Sequence, residues 1–278
     1  MIMHQRYAQS PKEVSGLHTA ELREHFLIED LMQPNQFSFT YSHYDRAIVG
    51  SVVPVSDALQ LPVFENLKAD YFLERREMGI INVGGAGQVI VEGTTYEVNK
   101  LDAVFAGKGS ANVSFKSLSA DDPAKFYLYS VPAHKEYPHQ LVKKENASPT
   151  TLGSTATANE RTIYKYIHLE GARSSQLVMG LTILATGSVW NTMPAHVHDR
   201  RMEAYFYFDV PEGQVVFHYM GEPRETRHLV LQNNAAIISP PWSIHSGCGT
   251  ANYGFIWAMG GENLVYSDID PVAIKDLK

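Results

Sequence analysis

The sequence predicts a mainly β protein, a duplicated β-barrel or jelly roll preceded by a short helical N-terminal segment. Three observations carry this. From about Phe37 onward, apolar residues come in short β-branched or aromatic runs separated by Gly, Pro and Asn turns, the punctuation of a sandwich or barrel. At 278 residues the chain is longer than one average domain. The two halves also echo each other. Glu74-Arg75-Arg76-Glu77-Met78 followed by Gly87-Gln88-Val89 has its counterpart in Asp199-Arg200-Arg201-Met202-Glu203 followed by Gly213-Gln214-Val215, at offsets of 125 (Arg75 to Arg200) and 126 (Gly87 to Gly213). A period of that size means a duplicated domain and not a solenoid.

The elements follow in order. Ser10-Pro11-Lys12-Glu13 has the layout of a capping box, with Pro at the first helical position. Thr19 is expected to cap a second helix in which Leu22 and Phe26 share one face. Strands are expected over 37–41, 48–53, 79–83, 88–91 and 126–130. Gly84-Gly85-Ala86-Gly87 lies between two strands, so it reads as a turn and not as a phosphate cradle. Residues 132–161 hold Pro132, Pro138, Pro149 and a polar run, and are expected to connect the halves. Strands then resume over 177–185, 204–209, 214–219, 228–232, 235–239 and 253–258. This divides the chain into a first barrel over 1–131, a connection over 132–161 and a second barrel over 162–278.

Composition narrows the function. Hydrophobic residues at 44% and charged ones at 19% supply a sizeable core and exclude a disordered chain. A net charge of −7 gives no global field for polyphosphate, so neither nucleic acid nor an anionic membrane is an expected partner. The one cysteine, Cys248, cannot form an intramolecular disulfide. The opening MIMHQRYAQSPKEV has no apolar signal region, and no run approaches a membrane span, so a cytoplasmic protein is expected. Twelve histidines beside a single cysteine make imidazole and carboxylate the natural bearers of any chemistry.

His196-Val197-His198 is the one His-x-His in the chain. On a strand, residues two apart point to the same face, so both rings can reach one ion. Alone the pair is weak, since twelve histidines in 278 positions supply roughly 0.5 such pairs by chance. Glu203 follows five residues later, and Pro240-Pro241-Trp242-Ser243-Ile244-His245 ends in a lone histidine. Together these resemble the two motifs of the cupin superfamily. Trp242 and Gly249 depart from it where a turn Gly and an Asn are usual. Three imidazoles and a carboxylate suit a borderline divalent cation, Zn, Fe(II), Mn, Co or Ni. By the 125-residue offset, His196, His198 and Glu203 fall on Tyr71, Leu73 and Met78, so the first half lacks the ligand set. His168, His218 and His228 lie in strand-like runs and read as satisfied barrel or surface residues, and Cys248 as a packing residue.

A closer resemblance spans the whole chain. FLERREMGIINVGGAG (72–87), GLTILATGSVWNTMPAHVHDRRMEAYFYF (180–208), GEPRETRHLV (221–230) and SPPWSIHSG (239–247) are similar to the 4-deoxy-5-hexosulose-uronate ketol-isomerases. That resemblance implies a zinc-containing, cupin-like, hexameric enzyme of pectin and polyuronate breakdown. Its metal ligands carry over onto His196, His198, Glu203 and His245, and its substrate is a small anionic sugar. The residues leave the catalytic base unassigned, with Tyr205, Tyr207, Glu262 and His228 as candidates, and the carboxylate clamp among Arg201, Arg75 and Lys108. Two rival readings are an Fe(II) cupin dioxygenase and a non-enzymatic sugar-binding cupin. The latter predicts an appended DNA-binding module or a broken ligand set, and the sequence has neither.

Overall fold

Two sheet pairs of the same strand order form the body of the protein in a computed structural model that describes residues 3–278. In the first half, a seven-stranded sheet runs His4–Arg6, Phe37–Ser42, Ile48–Val52, Phe126–Pro132, Arg76–Asn82, Ala103–Ala106, Gln140–Val142. Leu59–Gln60, Val113–Ser117, Gly87–Val91 and Thr94–Val98 form the sheet that closes it. In the second half, the large sheet runs Thr150–Leu152, Arg161–Ile167, Val178–Leu184, Gly254–Gly261, Arg201–Phe208, Ala235–Ser239, Leu27–Ile28. Its partner sheet is Trp190–Asn191, Ser246–Gly249, Val216–Glu222 and Glu225–Leu231. The duplicated barrel is therefore real, with Arg76–Asn82 and Arg201–Phe208 in equivalent central places.

Period-two alternation divides these strands between two environments. Along Arg201–Phe208, Met202, Ala204, Phe206 and Phe208 face the other half, while Tyr205 and Tyr207 face their own barrel. The two large sheets pack against each other through the first of these faces. Tyr127 stacks on Phe206 with centroids 4.7 Å apart, and the Tyr129 hydroxyl meets Met202 Sδ at 2.8 Å. The approach is close enough that a Cβ on Gly79 would collide with Met179 Sδ, and one on Gly260 with Val131. Glu77 joins the halves by a polar contact. Its buried carboxylate accepts the backbone N–H groups of Ser175 (2.7 Å), Gln176 (2.8 Å) and Leu177 (2.9 Å).

The N-terminal segment is helical, as expected, but its place is not with the first barrel. Ser10 and Glu13 form the capping box of the helix Pro11–Val14. The second helix, Thr19–Phe26, is capped by His18, one residue before the expected Thr19, with Glu21 reaching back to the His18 N–H. Val14, Leu22 and Phe26 enter the core of the second barrel, and Leu27–Ile28 pairs with Ile237–Ala236 at the edge of its large sheet. The physical reason is the free edge of Ala235–Ser239, which needs a partner. The stretch 132–161 is likewise more than a connection. Gln140–Val142 extends the first barrel's sheet, and Thr150–Leu152 extends the second's.

Candidate metal centre

Four separate pieces of chain bring the site together inside the second barrel. Glu203 projects from the central strand Arg201–Phe208, beside Met259 and Ser239 in the ladder. His245 comes from the turn between Ala235–Ser239 and Ser246–Gly249. His196 and His198 come from the loop that follows Trp190–Asn191, fixed at its tip by pairing of His196–Val197 with Asp270–Pro271. The Pro-rich turn supports this loop directly, because the Pro241 carbonyl accepts the His198 N–H at 3.0 Å. Trp242, at the motif's glycine position, donates its indole N–H to the Gln9 carbonyl at 3.2 Å and so anchors the same turn to the N-terminal segment.

One ligand atom from each of His196, His198, Glu203 and His245 lies within 4.8 Å of the others. Glu203 Oε2 is 3.0 Å from His198 Nε2 and 3.0 Å from His245 Nε2. His245 Nε2 is also 3.0 Å from His196 Nε2. His198 Nδ1 lies 2.9 Å from the Asp268 carbonyl, which can only accept, so Nδ1 donates there and Nε2 is turned into the cluster. Burial and the nearby His245 push His196 down to about 3, leaving it neutral. Burial opposes the charge on Glu203, but His245 and the hydrogen bonds from His198 and His245 outweigh it and hold the carboxyl well below its usual range. Three imidazoles gathered around a buried carboxylate are a donor set that a divalent cation completes.

The site opens into a cavity of about 300 Å³. Its walls include Arg161, Ile163, Thr192, Tyr205, Phe255, Trp257 and Tyr266. Burial pushes the Tyr205 hydroxyl well above its usual value, and Tyr205 shares a 2.8 Å hydrogen bond with Thr192. Desolvation, with Glu203 nearby, pushes Tyr266 up to about 12. Arg201, 1% exposed, also lines the cavity. It donates to the carbonyls of Val265 (2.6 Å), Tyr266 (3.2 Å) and Asp268 (3.2 Å), which ties down the C-terminal tail.

The chain matches a family model described as the KduI/IolB family over residues 27–273. It belongs to that family. A relative from Halalkalibacterium halodurans is 52% identical over 99% of this chain and 100% of its own length. One from Formosa agariphila is 55% identical over 98% of each chain. Both are named 4-deoxy-L-threo-5-hexosulose-uronate ketol-isomerase. Among solved structures, an IolB-like protein from Salmonella typhimurium aligns over 89% of this chain and 96% of its own, with a TM-score of 0.73 at 13% identity. A Lactobacillus farciminis oxalate decarboxylase aligns over 90% and 88%, with a TM-score of 0.61 at 10% identity. These two similarities establish the cupin-like double-barrel fold.

Of the sequence-derived candidates, the structure gathers His196, His198, Glu203 and His245 and lines the same cavity with Arg201 and Tyr205. Tyr207 sits deeper in the barrel, bonded to His218 Nδ1 at 2.8 Å. Glu262 and His228 are exposed, and neither lines the cavity. Arg75 pairs with Glu74 at 3.0 Å and Lys108 with Glu136 at 3.4 Å, both in the first half and outside the cavity lining. His168 and His218 are buried with Nε2 unpartnered, not satisfied as expected. The first barrel fills the equivalent places with core, Leu73 and Met78. Arg161 and Tyr266 escaped the sequence reading. Arg161 opens a strand counted as the end of the connection, and Tyr266 follows the last expected strand.

Proposed function

We propose that this enzyme is a metal-dependent aldose–ketose isomerase. In this reading it converts 4-deoxy-L-threo-5-hexosulose uronate to 3-deoxy-D-glycero-2,5-hexodiulosonate in pectin and polyuronate breakdown. The observation that carries this is full-length identity above 50% to proteins bearing that name, in a chain whose four-residue donor cluster opens into a cavity. The reading takes zinc as the resident ion, held by His196, His198, Glu203 and His245, in a cytoplasmic hexamer whose first barrel is structural.

The conversion moves a proton between neighbouring carbons through an enediol. A bound divalent ion would supply Lewis-acid stabilisation of the developing negative charge. The chain supplies the rest. Trp257, Phe255, Ile163 and Met259 give the cavity apolar walls that limit water around a reactive enediol. Outside the four cluster residues, the described lining holds no carboxylate or imidazole, and its titratable groups besides the two arginines are Tyr205 and Tyr266. Both phenols keep their protons at neutral pH and serve as donors to a developing oxyanion.

The test is metal analysis of the purified protein joined to an isomerase assay. Wild type is expected to hold one divalent ion per chain and to isomerise the uronate. His196→Ala and His245→Ala are expected to lose both ion and turnover. Full turnover by an ion-free variant would overturn the mechanism.

A further inference from the structure

The isomerase reading puts a carboxylate on the substrate but leaves open what recognises it. Among the described residues that line the cavity, the cations apart from imidazoles are Arg201 and Arg161. Arg201 is already spent. Its two terminal nitrogens donate to the Val265, Tyr266 and Asp268 carbonyls, and they hold the tail that carries the His198 partner. What remains is a buried Nε without a partner, which cannot present a two-pronged face.

Arg161 is placed differently. Its backbone is fixed on both sides, paired with Leu184 across one ladder and with Leu152 across the other, so its stem starts from a rigid position. The side chain is half-buried, and Nη1 donates to the Asn159 carbonyl at 2.9 Å. Among the described residues no carboxylate lies within ion-pair distance of it, although the chain as a whole is acidic at −7. Leu152, Ile163 and Phe255 line the same cavity, and among the described residues neither Nε nor Nη2 has a hydrogen-bond partner. A half-desolvated guanidinium with one edge open is the arrangement that binds carboxylate bidentately.

We propose that Arg161 is the residue that binds the substrate's carboxylate and sets the preference for sugar acids over neutral sugars, an inference that rests on the isomerase reading. The ion-binding cluster then takes the carbonyl end of the substrate and Arg161 the acid end, with the apolar walls between them.

The experiment compares wild type, Arg161→Gln and Arg161→Lys, all with metal content measured. The substrates are the uronate and its analogue with a neutral C6 alcohol. Arg161→Gln is expected to raise KM for the uronate roughly 10- to 100-fold with a small change in kcat, and to erase the preference over the neutral analogue. Arg161→Lys, which keeps the charge and loses the fork, is expected to fall between. Unchanged KM in Arg161→Gln, or equal losses for acid and neutral analogue, would overturn the assignment. Calorimetric titration with D-galacturonate and D-galactose gives a second readout that needs no turnover. Selective weakening of galacturonate in Arg161→Gln supports the clamp, and equal binding to both variants and wild type refutes it. If wild type fails to isomerise the uronate but still prefers galacturonate through Arg161, the isomerase reading falls and the clamp stands.

Discussion

At the scale of single residues, burial decides which histidines are chemically ready. His218 makes the point outside the ligand set. It is completely buried, its Nδ1 is bonded to Tyr207, and burial with the nearby His245 pushes it down to about 3. In the unfolded chain an imidazole titrates near 6.5, so between about 6.5 and 3 the unfolded state binds the extra proton. His218 therefore lowers stability as the pH falls through that window, by up to about 1.4 kcal/mol per pH unit. Thermal melts from pH 7 to pH 4 should show a shallower loss of Tm in His218→Gln than in wild type. Equal slopes would mean that some other group carries the acid sensitivity.

At the scale of elements, the C-terminal tail matters more than its few regular contacts suggest. Asp270–Pro271 pairs with His196–Val197, the Asp268 carbonyl holds His198 Nδ1, and Arg201 grips the carbonyls of 265, 266 and 268. Its last residue is tied to the turn at Pro223–Thr226 by two backbone hydrogen bonds. Truncation after Glu262 removes the group that orients a ligand histidine. It is expected to weaken metal binding about 10- to 100-fold in chelator competition, with the barrel still folded by circular dichroism. The sequence marks the four donors because their spacing is fixed by two short strand-and-turn segments, 196–203 and 240–245. It gives no sign of the tail, because Val265 to Asp268 contribute through backbone carbonyls, which any residue type supplies. Arg161 was hidden for a related reason. Its strand opens directly after a polar turn, and nothing in the pattern of 153–161 tells a linker from the start of a strand.

At the scale of the molecule, the two barrels share one packed seam. The apolar face between the large sheets includes Tyr127, Tyr129, Val131, Met179, Met202 and Phe206, and Glu77 adds three charge-assisted hydrogen bonds across the same seam. Glu77→Gln keeps the shape but turns one acceptor into a donor facing backbone N–H groups. It is expected to cost about 2–3 kcal/mol, read as a lower denaturant midpoint for both halves together. Two separate transitions would show that the halves unfold independently. The repeat at offsets of 125 and 126 made the duplication legible. The seam was not, because period-two strands give the same pattern whether their outer face meets water-excluding protein or a partner subunit.

The strand Leu27–Ile28 has a consequence for how the protein is made. Leu27 pairs with Ile237, 210 positions later. At typical rates of about 5–20 residues per second, roughly 10–40 s of synthesis separate the two segments. Throughout that interval Leu22 and Phe26 of the helix and the strand Leu27–Ile28 have no sheet edge to dock on. The second barrel's large sheet cannot be completed at that edge until residues 236 and 237 have been made, so a ribosome that stalls before them leaves Leu27 and Ile28 without their partner.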